Sequence, residues 1–210
     1  MPITEVIFHA YKTDPQTLAG LGNSHGHLVT AFSGVDGLKT LFRGPLLEQD
    51  GEAIGPQSGR DVLAIEWEKE EFFHQFFPGS EKFKALYTKM KDFAAAPARP
   101  ELYEATNRST LCFSSEVTQI IKVRSGTGTE AAWKRLEEVL SASPAGKPAL
   151  YHANGIGKEE GGFIGLIGWQ NLEHYQTVGK QNSILELIEH LNKNEKVQSS
   201  IAKLQQVDLA

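Results

Sequence analysis

His9 closes a β-rich run, Thr4-Glu5-Val6-Ile7-Phe8-His9, and is the residue best placed in this sequence to move a proton. Strand alternation puts Glu5, Ile7, His9 and Tyr11 on one face and Val6, Phe8 and Ala10 on the other. An imidazole with an ordinary pKa of about 6.5, on a strand lining a cavity, can take a proton from a phenol or an activated methylene. Lys122 and Arg124 share one face of a second such run that begins at Thr118. A cation fixed beside a low-dielectric site stabilises an enolate or phenolate, so the pair is expected to hold the resulting oxyanion. The competing reading is structural: a strand-end histidine bonded to a neighbour, and cations that snorkel to water.

Other side chains are candidates for contact with a ligand. Tyr11 shares the His9 face. Trp67 and Trp169 offer flat surfaces suited to an aromatic molecule, although buried tryptophans more often serve the core. His74, His174 and Tyr175 fall on short helices after the tryptophans, where a solvated histidine is the ordinary outcome. Tyr151 and His152 alternate along a strand, so only one of them points inward.

Several motifs fail. Gly20-Leu21-Gly22 with Gly26 lacks the dinucleotide-fingerprint spacing, and His25-Gly26-His27 has no third ligand nearby in sequence. A single cysteine, Cys112, rules out an intrachain disulfide. There is no phosphate loop and no nucleophile elbow, so neither a metal nor a soluble cofactor is expected. A net charge of -5 with scattered lysines and arginines argues against a nucleic-acid partner. No run approaches a membrane span and the N-terminus lacks a signal-peptide pattern, so a cytoplasmic location is expected.

The elements that would position these residues occur twice. Val62-Leu63-Ala64-Ile65-Glu66-Trp67 matches Ile164-Gly165-Leu166-Ile167-Gly168-Trp169, and each is followed at equal distances by a glutamate (Glu71, Glu173) and an aromatic (Phe73, Tyr175). The Thr4 and Thr118 runs are the matching first strands. Asp14-Pro15 and the Thr127–Glu130 capping box each start a helix, the first interrupted by Gly20, Gly22 and Gly26, the second carrying a clean stripe of Trp133, Leu136, Val139 and Leu140. Second strands are expected at Leu38–Arg43 and Ala149–Asn154, with a loop insertion before the third strand of the first copy. Long helices are expected at Glu81–Phe93 and Ile184–Asn192, and last strands at Glu101–Thr106 and Ile201–Val207.

Each copy therefore reads as a ferredoxin-like βαββαβ unit of class α+β: residues 1–107, a linker 108–116, then 117–210. Helices cover one sheet face only, yet the strands are apolar on both, so the two sheets should pack together as an intramolecular dimeric α+β barrel.

In the apolar third strands ending on Trp67 and Trp169, the acid four residues later, and above all the stretch Gly168–Tyr175, the chain resembles the antibiotic-biosynthesis-monooxygenase family of dimeric α+β barrels, in the tandem form common among fungal proteins. That resemblance implies a cavity for a small, often aromatic or polyketide-like molecule and a cofactor-independent reaction. The Asn, Trp and His set of haem-degrading members is not reproduced, and Ile65 and Ile167 stand where an acid is common, so haem degradation is disfavoured. The expected function is proton abstraction from a hydrophobic substrate followed by oxygenation, cyclisation or isomerisation. A non-catalytic ligand-binding or stress-associated barrel is the alternative. Either would be a monomeric pseudo-dimer or a homodimer, with any active site confined to one copy because the copies differ.

Overall fold

Alternation along eight strands decides the architecture, because one face of each strand meets helices and the other meets the opposite half of the chain. The computed structural model describes residues 1–209 apart from 23, 56, 127, 193 and 194; the capping residue expected at Thr127 thus lies outside the described residues. The first half contributes β1 (Ile3–Ala10), β2 (Leu38–Gln49), β3 (Arg60–Trp67) and β4 (Pro100–Glu104). The second contributes β5 (Val117–Arg124), β6 (Ala149–Gly155), β7 (Gly162–Trp169) and β8 (Gln198–Ala202). The internal repeat holds residue by residue: Ile3 pairs with Trp67 at one end of β1–β3, and Val117 pairs with Trp169 at the same point of β5–β7.

Within each half the strands run in the order second, third, first, last, all antiparallel. The halves then join at both edges. Tyr103 and Glu104 of β4 pair with Gly155 and Asn154 of β6, while Leu46, Glu48 and Gln49 of β2 pair with Ala202, Ile201 and Ser200 of β8. The last strand of each half thus bonds to the second strand of the other, and the two facing sheets form one closed ring.

This closure explains two departures from the sequence reading. β2 runs to Gln49 instead of stopping at Arg43 because its far end must reach β8. Much of the expected loop insertion is consequently strand, turned at Asp50 and Gly51, both with positive φ, into the two-residue strand Glu52–Ala53. The expected last strand of the second half is split into β8 and a pair, Gln205–Gln206, that bonds to β2 at Arg43 and Phe42.

Side chains fill the ring. Val6, Phe42, Val62 and Ala64 from one half meet Ile120, Tyr151, Ile164 and Leu166 from the other, the packing expected of an eight-stranded barrel. The linker helix α5 (Thr110–Phe113) closes one end by inserting Cys112 and Phe113 into this core. It seats there because Gly168 has no side chain, a Cβ at that position falling 2.2 Å from Ser115 Oγ.

Helices cover the outside. The first half has α1 (Pro15–Leu21), α2 (Ser24–Phe32), α3 (Glu70–Phe76) and α4 (Glu81–Met90); the second has α6 (Thr129–Ser141), α7 (Leu172–His174), a π turn through Gly179, and α8 (Asn182–Glu189). Asp14 caps α1 by accepting from the Thr17 amide at 2.9 Å, and the glycine-interrupted segment does break, at Gly22, into two short helices. Among the described residues no helix is long and apolar enough to cross a membrane.

Candidate functional site

Lys122 sits inside the ring with its Nζ on both oxygens of Glu101, at 2.8 and 2.9 Å, and 4.3 Å from the centre of the Phe8 ring. Tyr151, the inward member of its pair, shares a 2.8 Å hydrogen bond with Thr4 Oγ1. Arg124 is exposed at the end of β5. Because the ring is filled by side chains, the cavity expected between the two sheets is replaced by core, and Lys122 and Arg124 are not brought to His9. His9 faces the other way.

The cavity lies on that other side, between the outer face of the first sheet and its helices. It has a volume of about 560 Å³ and is lined along one wall by Glu5, Ile7, His9 and Tyr11, the face that alternation assigned to His9. At a rise of about 3.4 Å per residue, Glu5 and Tyr11 stand roughly 20 Å apart along β1, so the space is elongated. The opposite wall is aromatic and aliphatic: Phe32 and Leu28 from α2, Phe76 and Phe77 at the end of α3, and Phe83, Leu86 and Tyr87 from α4. Such a size and lining suit a flat organic molecule with a few placed polar contacts.

The polar groups occupy the two ends. At one, the Glu5 carboxylate accepts a 2.7 Å bond from Trp67 Nε1 at its Oε2, and burial pushes its pKa up to about 7 against the lowering effect of that bond. Trp67 does not itself line the cavity; it packs behind Glu5 on Phe73 and Phe76. At the other end His9 stacks on Tyr11 with ring centres 5.3 Å apart. Burial, assisted by the charge of Arg43, pulls His9 down to about 4, and its Nδ1 is buried with no hydrogen-bond partner among the described residues. Burial pushes the Tyr11 phenol up to about 12, so it stays a donor. Arg43 donates through Nε to Asp61 at 2.6 Å, and Asp61 is itself raised by burial with Arg43 opposing. A second pocket of about 340 Å³ adjoins this end, sharing Tyr11 and Arg43 and adding His25 and Arg60.

In the second half the same space is closed. Trp133 of α6 lies over Gly165, where a Cβ would come within 2.2 Å of the indole, and its cluster takes in Ile121, Val123, Trp169 and Tyr175. Trp169, His174 and Tyr175 are therefore parts of a packed layer. Trp169 donates to Gln119 Oε1 at 3.2 Å, Tyr175 donates to Glu48 Oε1 at 2.6 Å, and His174 packs edge-on against Trp169 with both ring nitrogens unpartnered among the described residues. His152 stacks on Phe163 on the outer face, 3.6 Å from Glu137. In the first half, His74 is exposed and paired with Glu70 at 3.0 Å. Of the expected residues, then, only His9 and Tyr11 line the cavity. Among the described residues no group of three or more His, Cys, Asp or Glu side chains could hold a metal.

Sequence reasoning did not single out Glu5, Arg43 or the helix phenylalanines. Glu5 left one signal: it shares the His9 face of an otherwise apolar strand, opposite Gln119 in the repeat alignment.

These features define the class, a single-chain α+β barrel with one hollow and one filled half. Solved structures share its fold along nearly their whole length. An anthrone oxidase-like protein superposes with a TM-score of 0.67 at 9% identity, covering 100% of this chain and 95% of its own. A proposed monooxygenase from Lactobacillus acidophilus NCFM gives 0.57 at 10% identity over 100% and 97%, and a proposed chlorite dismutase gives 0.60 at 8% over 97% and 95%. At such identities the likeness concerns the fold. No protein-family profile and no curated protein sequence matches the chain.

Proposed function

We propose that the chain is a cofactor-independent, oxygenase-like enzyme that binds a flat, hydrophobic, aromatic or polyketide-like molecule in the first-half cavity and activates it by removing a proton. The observation that carries this reading is the pairing of an apolar, aromatic-walled cavity of about 560 Å³ with titratable groups at both ends whose pKa values burial has displaced. The names of the solved neighbours, several of them monooxygenases, agree with it.

The chemistry follows from the lining. An apolar wall takes up the ring faces, while the Tyr11 phenol and the Arg43 charge at the far end suit an oxygen on a ligand long enough to reach them. His9, neutral at physiological pH because burial holds it near 4, is a hydrogen-bonding group and only a weak base. Once deprotonated, the electron-rich carbon of the bound molecule can react with dioxygen, attack a carbonyl of the same molecule, or be reprotonated elsewhere. These outcomes correspond to oxygenation, cyclisation and isomerisation.

Anthrone serves as a probe of the reading. Titration followed by tryptophan fluorescence should show saturable binding, weakened about tenfold or more by filling the cavity with Leu28→Trp. Turnover under air but not under nitrogen identifies the oxygenase outcome, and absence of saturable binding by anthrone and by a linear β-polyketone rejects the proposal.

A further inference from the structure

Glu5 and Gln119 occupy equivalent positions and perform the same structural task, each accepting a hydrogen bond from the indole of its half, at 2.7 Å from Trp67 and 3.2 Å from Trp169. That task needs only an amide oxygen. A neutral amide costs far less to bury than a carboxyl group that ionises, and the filled half uses the amide. The acid appears only where the outer face of the sheet borders a cavity.

Glu66 provides a second contrast. It too is a buried carboxylate of the first half, but it accepts from Ser109 Oγ, the Thr110 amide, Thr110 Oγ1 and Thr40 Oγ1, which tie α5 to the barrel and leave it no free role. Among the described residues Glu5 is held only at Oε2, by Trp67, and it lines the cavity.

From this geometry we infer that Glu5 is a catalytic residue, the general base that takes the proton from a carbon acid bound in the first-half cavity. The inference rests on the proposed function above. In the step, a C–H bond conjugated with a ring carbonyl, as at the methylene of anthrone, breaks, its proton passes to Glu5 Oε1, and the electron pair is delocalised through the ring onto the carbonyl oxygen as an enolate. Return of the proton, or its release after the enolate has reacted, restores the carboxylate. No oxidant enters this step. The other titratable and charged groups bordering the same space are His9 and Tyr11 on β1, Arg43 on β2, Tyr87 on α4 and Lys91 just after it. With burial placing Glu5 at about 7, both of its forms are populated near neutral pH, the condition for an efficient base.

The test separates proton abstraction from everything that follows it. Anthrone is incubated with the protein in D2O under nitrogen, and deuterium uptake at its methylene carbon is followed by NMR against a buffer blank, with binding measured in parallel by tryptophan fluorescence. The wild type should exchange faster than buffer, with a pH profile governed by one ionisation near neutrality. E5Q, whose amide can keep the Trp67 bond as Gln119 keeps its own, should lose exchange by about 100-fold or more while anthrone affinity stays within about threefold. E5Q exchanging at the wild-type rate overturns the assignment of Glu5 and leaves the proposed function standing. A wild type that binds anthrone but exchanges no faster than buffer overturns the base, whereas a wild type that binds neither anthrone nor a β-polyketone overturns the proposed function and the inference together. If E5Q does not fold, W67F decides: loss of the indole bond should move the midpoint of the exchange profile to higher pH, and an unmoved midpoint overturns the inference.

Discussion

The two halves of this barrel share a topology and a strand register yet solve the space between sheet and helices in opposite ways. In the second half glycine at 165 makes room for Trp133 against the sheet, and Val123 and the uncharged Gln119 complete the layer. In the first half Leu63 stands at the position of Gly165, the covering segment is broken into α1 and α2, and His9 and Glu5 replace Val123 and Gln119. One large aromatic and a few polar exchanges separate a core from a cavity. The filled half gains packing, and the hollow half gives it up and sets Glu5 and His9 against the open space.

The comparison can be broken most directly by emptying the filled half. Trp133→Ala should cost about 3–5 kcal/mol of unfolding free energy, read from denaturant midpoints, because the residue is fully buried and its neighbours are strand-bound and relax little. A loss below about 1 kcal/mol would mean that the second half closes without it.

Next in size is a pH signature that belongs to the hollow half. Glu5 rises from 4.5 to about 7 on folding, so the folded state holds its proton more tightly than the unfolded one, and the associated stability is lost as pH climbs through 7. His9 falls from 6.5 to about 4, so its contribution is present above 6.5 and lost as pH drops toward 4. The slopes are opposite and overlap between about pH 4.5 and 6.5, where they offset one another. Each variant should uncover one of them. E5Q should gain on the wild type by about 3 kcal/mol between pH 4.5 and 7.5, and His9→Val, which copies Val123, should gain by a similar amount as pH falls from 6.5 to 4. Unfolding curves that run parallel to wild type across pH would contradict the burial of these groups.

Gly165→Ala probes the same contrast from the sheet side. Its Cβ would sit 2.2 Å from the Trp133 ring, so a loss of about 1–3 kcal/mol is expected. The smallest effect should come from α1, beside the adjoining pocket. Asp14→Ala removes the acceptor of the Thr17 amide and hydroxyl, and a small drop in the denaturant midpoint is expected, with no change meaning that α1 holds without its cap.

The repeat, the α+β class, the side of β1 shared by His9 and Tyr11, and the break near Gly22 were all legible in the residues. Alternation separates two faces of a strand, but it does not say which face meets helices when both are apolar. Lys122, however, is the equivalent of Phe8 and His9 that of Val123, so the register of the repeat by itself sets them on opposite faces and denies them a common site. The extension of β2 to Gln49 was hidden because its pairing partner, β8, lies more than 140 residues away. The cavity itself is written in what is missing, the absence of a tryptophan from a broken helix, and an absence leaves no periodic signal.

Ring closure bears on the order in which the chain is made. β2 receives its outer partner only once Ser200 to Ala202 have been synthesised, and β4 only once Asn154 and Gly155 have. The first half therefore leaves the ribosome with two open strand edges and with Val6, Phe42, Val62 and Ala64 facing water on one sheet surface. Expressed alone, it has a ready substitute for the missing half in a second copy of itself, paired reciprocally. Covalent fusion thus acts as a chaperone in time, delivering the unlike partner in the same translation event before a like one is met.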